Sequence, residues 1–444
     1  MKKVLVLGAG MVSGPLVRYL LDRPDLEVTV ADVEAERAAA AVAGSARGKG
    51  LALDVRDRAA VDGLVDECDL VVSLLPPDLH VAVAKRALEA KRHFVTTSYI
   101  SDEMKALDGD VRKAGLTFLN EVGLDPGLDH MSALRIIHGI EGRGGTVTSF
   151  RSYCGALPAP EADTNPWGYK FSWSPRGVIV AGRNSARYLE DGEEKTLPGE
   201  RLFARHWLVD VKGFGEFEAY YNRDSIPYVE AYGLTGVRDM FRATLRYPGW
   251  SYSMQKLADL SYFGLDDLTP SPATYAALTA ALAQVPASGD LAARVAEVLD
   301  VDRASDTITR MAWLGLFAEE PIPWEDLPTR SPLDALASRM LSLMPLEKGE
   351  RDLCIMRHEI AGEYSSGTRE TVTSTLVAFG EPHGDSAIAR TVGLPAAIAG
   401  TMVLDGRIAD RGVLVPVLPS IYAPILDELA ASAGVVFNER TSVV

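Results

Sequence analysis

The sequence is poor in cysteine and in positive charge. Its 444 residues include three cysteines, and 45 lysines and arginines against 61 aspartates and glutamates, a formal net charge of -16. Cys68, Cys154 and Cys354 are far apart and show no CxxC spacing. We therefore expect neither a disulfide framework nor a metal site, and we expect a reducing, cytoplasmic setting. The acidic balance excludes a sequence-independent nucleic-acid surface, so an anionic substrate must be held by local arginines.

Long hydrophobic runs are also missing. The N-terminal MKKVLVLGAG holds a short apolar run that reaches glycine at once, which indicates a strand rather than a signal peptide. No run approaches the roughly 18 apolar residues of a membrane helix, and no internal repeat is present. A hydrophobic content of 47% and a charged content of 24% are typical of a folded, soluble protein. We expect two or three domains and no membrane partner.

A glycine-rich turn stands near the start of the chain. KVLVLGAG predicts a buried strand and GPLVRYLLDRPD a helix, with Gly8-Ala9-Gly10-Met11-Val12-Ser13-Gly14 between them. This is nearly the dinucleotide fingerprint, with Ser13 at the third glycine position. Gly8 permits the tight turn, and Gly10 lets backbone amides approach a pyrophosphate at the helix N-terminus. The turn therefore predicts a nicotinamide dinucleotide site, and the alternative is a purely structural glycine turn.

An acid ends the second predicted strand, LEVTVADV. The carboxylate of Asp32 can accept hydrogen bonds from both ribose hydroxyls and repels a 2′-phosphate, which favours NAD over NADP. Arg37 follows within the next helix and can moderate that preference. NADP therefore stays open as the alternative cofactor.

The alternation of strands and helices continues to about residue 120. It predicts a doubly wound, Rossmann-type parallel sheet, whose ligands lie at the carboxyl ends of the strands. Three of those ends should face the cofactor crevice; they are Asp54-Val55, Leu75-Pro76 and Thr97-Ser98-Tyr99.

The stretch NEVGLDPGLDH, from Asn120 to His130, interrupts regular structure with glycines, a proline and acids. It should leave the same carboxyl edge, with Gly123 and Gly127 letting backbone approach a flat ring. Asp129 or Ser132 is expected to cap or open the helix that follows. The alternative is a glycine-proline hinge in which Asp125 only fixes the turn.

The pattern changes in the middle of the chain. TVTSFRSYCG, WLVDVKGFGEFEAYYN and FRATLRYPG predict a mixed, largely antiparallel sheet, with a hairpin near Ser366-Gly367. The whole chain is predicted to be α/β, with a Rossmann domain (1–124 and 390–444), a mixed α+β sheet domain (125–254 and 345–389) and an inserted all-helical domain (255–344). The aromatic-rich loop from Ser152 to Gly177 either closes a site or packs as a loop core.

Several segments resemble the saccharopine dehydrogenase family, in its L-glutamate-forming branch. They include SLLPPDLH, VTTSYIS, EVGLDPGLDHM, SYCGALPAPE, NPWGYKFSWSPRGV, NRDS and TLRYPG, and the resemblance covers nearly the whole chain. It implies the three-part fold above, a homodimer, and a place in lysine metabolism. Asp32 departs from the basic residue that the NADP-using fungal members carry after the second strand.

The resemblance also implies site residues. The substrate-contacting set is Ser98, Tyr99, Asp125, Arg223, Thr244, Leu245 and Arg246. The cofactor set is Gly10, Met11, Val12, Asp32, Asp54, Val55, Thr97, Leu124 and Ser174.

The implied reaction is NAD(P)-dependent interconversion of saccharopine with L-glutamate and 2-aminoadipate 6-semialdehyde. Hydride leaves carbon only when the secondary amine is unprotonated, so a proton acceptor is needed. We expect Asp125 and Tyr99 to serve, with Cys154 as a weaker candidate beside the substrate. Water and the substrate's own groups are the alternative proton carriers. Two rival functions remain, an imine reductase for another amino-acid or polyamine conjugate and a nucleotide-binding sensor without turnover.

Overall fold

The computed structural model describes residues 1–172 and 175–443. Its strands, in chain order, are β1 (Lys2–Leu7), β2 (Leu26–Asp32), β3 (Gly48–Ala52), β4 (Leu70–Ser73), β5 (His93–Thr96), β6 (Thr117–Leu119), β7 (Gly145–Pro158), β8 (Ala186–Glu190), β9 (Glu193–Leu197), β10 (His206–Val211), β11 (Gly215–Tyr221), β12 (Asp239–Arg246), β13 (Asp352–Tyr364), β14 (Arg369–Phe379), β15 (Gly412–Leu414) and β16 (Asn438–Val443).

The α-helices follow the same order. They are α1 (Ser13–Asp22), α2 (Ala35–Ala41), α3 (Arg58–Glu67), α4 (His80–Glu89), α5 (Asp102–Lys105), α6 (Asp108–Lys113), α7 (Leu128–Gly142), α8 (Pro175–Ala181), α9 (Pro227–Ala231), α10 (Trp250–Asp259), α11 (Tyr275–Ala283), α12 (Leu291–Val298), α13 (Asp306–Trp313), α14 (Pro332–Leu343), α15 (Ala387–Leu404) and α16 (Pro419–Ala433).

The chain divides into two compact units. Unit 1 contains Met1–Val147 and Ile360–Val444, and unit 2 contains Thr148–Glu359. The stretch 255–344 is helical between its loops, as its sequence pattern predicts. The two-unit division keeps this stretch within unit 2, so the predicted three-domain division with its boundaries stays a prediction.

The main sheet of unit 1 has the strand order β15-β6-β5-β4-β1-β2-β3. Its neighbours pair in parallel. The order reverses between β1 and β4, which is where an open α/β sheet binds its ligand. This confirms the predicted doubly wound parallel sheet, and β15, from the C-terminal part of the chain, is its edge strand.

Helix α15 covers this sheet, because it packs against α1, β4 and β5. Its close approach depends on a missing side chain: a Cβ on Gly393 would lie 2.6 Å from the backbone oxygen of Val12. Within the described residues, α15 is also the one helix long and apolar enough to cross a membrane, and 78% of it is buried. The expectation that no segment approaches the length and apolar composition of a membrane helix is therefore wrong. A helix buried inside a protein needs a similarly apolar composition, and α15 is such a helix.

Unit 2 is built on a mixed sheet. Strands β10, β11 and β12 pair antiparallel, and β12 pairs in parallel with β7. The aromatic loop after β7 packs inward, where Trp167 and Tyr169 are buried and their rings contact that of Trp250. For these two residues the loop-core alternative is confirmed. The predicted hairpin is also present, but its turn belongs to unit 1: the Tyr364 N–H donates to the Thr368 carbonyl at 2.9 Å and Gly367 has φ +83°.

Several helices of both units begin at a capping side chain. The cap oxygen accepts a hydrogen bond from the backbone N–H three residues on, as at Asp57, Ser101 and Thr274. Helix α7 differs, since it begins at Leu128 after Gly127 without a side-chain cap. Asp129 Oδ1 instead accepts from the Gly127 and His130 N–H groups, and the Ser132 hydroxyl donates to the Leu128 carbonyl. Of the two residues expected to cap or open this helix, Asp129 is the one whose side chain bonds the backbone at its start. Ser132 does not, because its hydroxyl lies one turn inside the helix.

Candidate functional site

The glycine turn after β1 has the geometry of a phosphate-binding loop. Gly8 has φ +99°, and a Cβ there would lie 3.0 Å from the Leu74 carbonyl oxygen, so only glycine fits. Around Gly10, by contrast, a Cβ would meet open space. Helix α1 starts after Val12 without a side-chain cap, and the Ser13 N–H donates to the Gly10 carbonyl at 3.1 Å. The positive end of the helix dipole at this turn favours an anion. These features fit a dinucleotide pyrophosphate, and Met11 is 60% exposed beside it.

Asp32 ties the end of β2 to this turn. Its Oδ2 accepts from the Ala9 N–H at 2.7 Å, and its Oδ1 accepts from the Glu34 N–H at 2.9 Å. The carboxylate is therefore a structural brace of the turn as well as a candidate ribose ligand. Arg37 forms an ion pair with Glu34 at 2.9 Å, so its charge is already partly matched.

The next predicted cofactor residues follow β3 and β4. Asp54 is exposed, and its hydrogen bond to Arg56 lowers the pKa of its carboxyl group. Val55 lies beside Asp54, and Leu75 follows β4. Both side chains are half-buried and pack against the apolar core of the sheet. These positions lie at the carboxyl ends of parallel strands, as the sequence predicts.

The strand ends of β5 and β6 bring two predicted residues together. The Tyr99 hydroxyl donates to Asp125 Oδ1 at 2.7 Å. Gly123 lies close to Thr97. Gly127 has φ +144°, and a Cβ on it would lie only 2.1 Å from the Gly123 carbonyl oxygen. Both glycines are thus required for the chain to fold back on itself. Leu124 is buried within the same loop.

Two buried histidine clusters beside these residues were not predicted as site residues. His80 contacts Ser73 and Ser98 through its two ring nitrogens. His130 Nε2 lies 2.7 Å from Glu121 Oε2, and Glu121 Oε1 accepts from the Ile100 N–H. The Glu121–His130 pair therefore links the loop that carries Tyr99 to the start of α7.

The sequence does contain a feature that could have identified both clusters, namely the segments that resemble the family. His80 and His130 stand in segments that carry the family resemblance, SLLPPDLH and EVGLDPGLDHM. Glu121 also stands in EVGLDPGLDHM. The structure adds that it has φ +58°, an uncommon conformation for a residue other than glycine.

In unit 2 the predicted residue Arg246 is a buried cation. It is 5% exposed, with its guanidinium 4.9 Å from the centre of the Tyr169 ring and 5.5 Å from that of Trp250. Its Nη1 donates to the Leu245 carbonyl, and its Nε has no hydrogen-bond partner among the described residues. A buried guanidinium held by rings and a carbonyl is suited to an anionic ligand.

The other predicted substrate residues of unit 2 lie on or after its strands. Cys154 on β7 and Thr244 on β12 are register partners. The Leu245 side chain is fully buried, so only its backbone is available to a ligand. Arg223 is exposed after β11 and has φ +56°. Ser174 lies outside the described residues.

A surface cavity of about 550 Å³ in unit 2 contains none of the predicted site residues. Its arginines are each matched by an acid, in the pairs Arg151–Asp239, Arg205–Glu190 and Arg357–Glu359. Since these charges are neutralised in place, the cavity is a poorer carboxylate site than the surroundings of Arg246. No group of three or more metal-ligating side chains occurs in residues 1–172 and 175–443.

Two family models match the chain and together span most of it. The saccharopine dehydrogenase NADP binding domain matches residues 4–119, and the saccharopine dehydrogenase C-terminal domain matches residues 123–435. The chain belongs to the saccharopine dehydrogenase family. The resemblance drawn from the motifs is confirmed, and so is a nicotinamide-dependent oxidoreductase with a small-molecule substrate.

Individual relatives are similar over nearly the whole of this chain. The saccharopine dehydrogenase [NADP(+), L-glutamate-forming] of Saccharomyces cerevisiae is 39% identical, with 99% of both chains covered. The protein of the same name from Pyricularia oryzae is 38% identical, again with 99% of both covered. The mitochondrial alpha-aminoadipic semialdehyde synthase of Mus musculus is 38% identical over this whole chain, which spans 48% of that protein.

A solved structure supports the fold. The apo saccharopine dehydrogenase (L-Glu forming) from Saccharomyces cerevisiae has a TM-score of 0.90 and 37% identity, with 100% of both chains covered. These relatives of the saccharopine dehydrogenase family do not favour the polyamine-conjugate reductase or the sensor as alternatives. The names of the two fungal relatives specify NADP(+), which gives no support to the NAD preference drawn from Asp32.

Proposed function

We propose that this protein oxidises saccharopine to L-glutamate and 2-aminoadipate 6-semialdehyde with a nicotinamide cofactor, or catalyses the reverse reductive condensation. Full-length similarity to L-glutamate-forming saccharopine dehydrogenases supports the assignment. The structural observation that carries it is Arg246, a buried cation whose neighbours are rings and a carbonyl. Saccharopine carries three carboxylates, and such a guanidinium binds a carboxylate in the two-pronged manner that lysine lacks.

We assign Arg223 and Arg246 to substrate carboxylates, with Ser98, Cys154, Thr244 and Leu245 as further contacts. Arg223 is supported by its exposed position and left-handed backbone, since unusual backbone conformations concentrate at functional sites. Leu245 contributes through its backbone, because its side chain is buried.

Asp125 and Tyr99 are the proposed acid–base pair. A nicotinamide held at the glycine turn would supply the hydride acceptor for the carbon beside the secondary amine, and that chemistry would require the amine to be unprotonated. Asp125 takes the amine proton, and Tyr99 holds the carboxylate through its 2.7 Å hydrogen bond. The same carboxyl group then assists the addition of water to the substrate imine.

The cofactor is held by Gly8, Gly10, Met11 and Val12 at the turn, by Asp32 at the end of β2, and by Asp54, Val55, Leu75, Thr97 and Leu124 along the strand ends. Ser174, outside the described residues, is assigned to the cofactor from the family resemblance. We propose that NAD is preferred, despite the NADP(+) in the relatives' names. Two acids lie close together in the chain, Asp32 at the end of β2 and Glu34 two residues later, where a 2′-phosphate would meet their charge. The ion pair between Arg37 and Glu34 reduces this repulsion without reversing it.

A spectrophotometric assay tests both proposals. Saccharopine with NAD should produce reduced nicotinamide, whereas neither NAD alone nor a polyamine conjugate should. If saccharopine were turned over with neither NAD nor NADP, the proposed activity would be overturned. A larger kcat/KM with NADP than with NAD would overturn only the cofactor preference.

We also propose a cytoplasmic homodimer. The family resemblance supports the dimer, and three cysteines without disulfides are compatible with a reducing compartment. Light scattering should give twice the chain mass, and a concentration-independent monomer would overturn the dimer.

A further inference from the structure

His80 is a buried imidazole with both ring nitrogens engaged. It is 4% exposed, its Nδ1 lies 2.8 Å from the Ser73 hydroxyl oxygen, and its Nε2 lies 2.8 Å from the Ser98 hydroxyl oxygen. A neutral imidazole has one N–H and one acceptor nitrogen, so one contact is a donor and the other an acceptor. The two hydroxyl orientations are therefore fixed together.

The position of His80 connects two strand ends of the nucleotide-binding sheet. Ser73 is the last residue of β4, Ser98 follows β5, and His80 is the first residue of α4. Strand β4 pairs with β1, so these residues lie beside the point where the strand order reverses. The Thr96 hydroxyl, 3.4 Å from Nε2, also faces the ring.

The environment keeps this imidazole uncharged. Burial lowers the pKa of His80 to about 4, and the nearby Asp78 only partly opposes that effect. Ser73 is fully buried, and in the described residues its hydroxyl makes no hydrogen bond beyond the one to His80. A proton passed inward from Ser98 would have no outlet there. The cluster is therefore built to hold an orientation rather than to relay protons.

We propose that His80 is a positioning residue that fixes the Ser98 hydroxyl for contact with the substrate. This rests on the proposed function, in which Ser98 is a substrate contact. A serine hydroxyl left to rotate would present its proton and lone pairs in several directions. The Nε2 contact removes most of that freedom, so that the hydroxyl meets the bound substrate already aligned.

Two variants of His80 separate the two contacts. A glutamine amide at position 80 reaches the place of Nε2 and can keep the Ser98 contact, whereas an asparagine amide reaches only the place of Nδ1 and keeps the Ser73 contact. His80→Gln should retain most of the wild-type kcat. His80→Asn should lower kcat by up to about 100-fold, while the KM for the cofactor stays within about twofold in both.

The same pair made in a Ser98→Ala background is the control. There the two variants should have equal kcat, because the hydroxyl that His80 positions is gone. Melting temperatures of all variants show whether a loss of activity merely follows a loss of folding.

Equal kcat for His80→Gln and His80→Asn in the presence of Ser98 would overturn the positioning role and leave the proposed function standing. A difference that persists in the Ser98→Ala background would overturn it as well. A wild-type protein without turnover of saccharopine would overturn the proposed function and this role with it.

Discussion

The Tyr99 hydroxyl donates a hydrogen bond to Asp125 Oδ1 at 2.7 Å, which joins the loops that follow β5 and β6. Adjacent parallel strands bring their carboxyl ends to one edge of a sheet, so residues 26 positions apart in the chain become neighbours. The pair is the candidate centre for proton transfer.

Replacing Asp125 by asparagine should remove the proton acceptor. We expect kcat to fall by about 100-fold or more, with the dissociation constant of the cofactor nearly unchanged, because Asp125 is assigned to the substrate. Steady-state rates and cofactor titration measure the two effects. Asp102→Asn, at an exposed position in α5, is the matched control and should be active. Unchanged turnover in Asp125→Asn would reject its acid–base role.

Replacing Tyr99 by phenylalanine keeps the ring and removes the hydroxyl. We expect a smaller loss of kcat than in Asp125→Asn, because the carboxylate remains and loses only its orienting donor. The double variant should be no slower than Asp125→Asn alone, since residues that act as one unit are not additive. Losses that multiply in the double variant would show that the two residues act independently.

Arg246 should affect substrate binding rather than folding. Arg246→Met is expected to raise the KM for saccharopine by at least about tenfold. Little or no loss of stability is expected, because the change removes a buried charge that forms no ion pair with a carboxylate of the described residues. Arg242→Met is the matched control on the same strand, where the guanidinium bonds the Tyr228 hydroxyl at 2.9 Å. That control should lower the melting temperature and leave KM unchanged. An unchanged KM in Arg246→Met together with a raised KM in Arg242→Met would reject the assignment of Arg246 to the substrate site.

The Glu121–His130 pair should stabilise the loop that carries Tyr99. Glu121→Gln is expected to cost about 1–3 kcal/mol of unfolding free energy, since it weakens a buried charge-assisted hydrogen bond. Because Glu121 also accepts from the Ile100 N–H, kcat should fall with it. Chemical denaturation and the saccharopine assay measure the two. Glu89→Gln, an exposed ion-pair residue, should change neither.

His80 should make stability depend on pH in the acid range. Its pKa is about 4 in the folded protein and 6.5 when unperturbed, so the unfolded chain binds the proton first as pH falls. Above pH 6.5 the imidazole is neutral in both states, and its titration costs the folded protein no stability. Between pH 6.5 and pH 4 the free energy of unfolding falls by up to about 3 kcal/mol, because only the unfolded chain binds the proton. The wild type should therefore lose more stability than His80→Gln over this range in urea titrations. Parallel losses in the two proteins would contradict the prediction.

Local patterns account for the parts of the protein that sequence predicted. The glycine turn at Gly8 and Gly10, the alternation up to β6 and the acid Asp32 are each specified by a few adjacent residues. The family motifs then led to Tyr99 and Asp125, which the structure brings into contact. His80 and Glu121 were missed because a lone histidine or glutamate has no periodicity, and its meaning depends on distant neighbours.

What the sequence alone determined was the nucleotide-binding sheet and the residues at the ends of its strands, because apolar periodicity and turn chemistry are local properties of the chain. Only the tertiary structure decided that Asp32 braces the glycine turn, that His80 holds Ser98, and that Arg246 is buried against aromatic rings. Burial and the pairing of charges are set by residues far apart in the chain, and no local pattern encodes them.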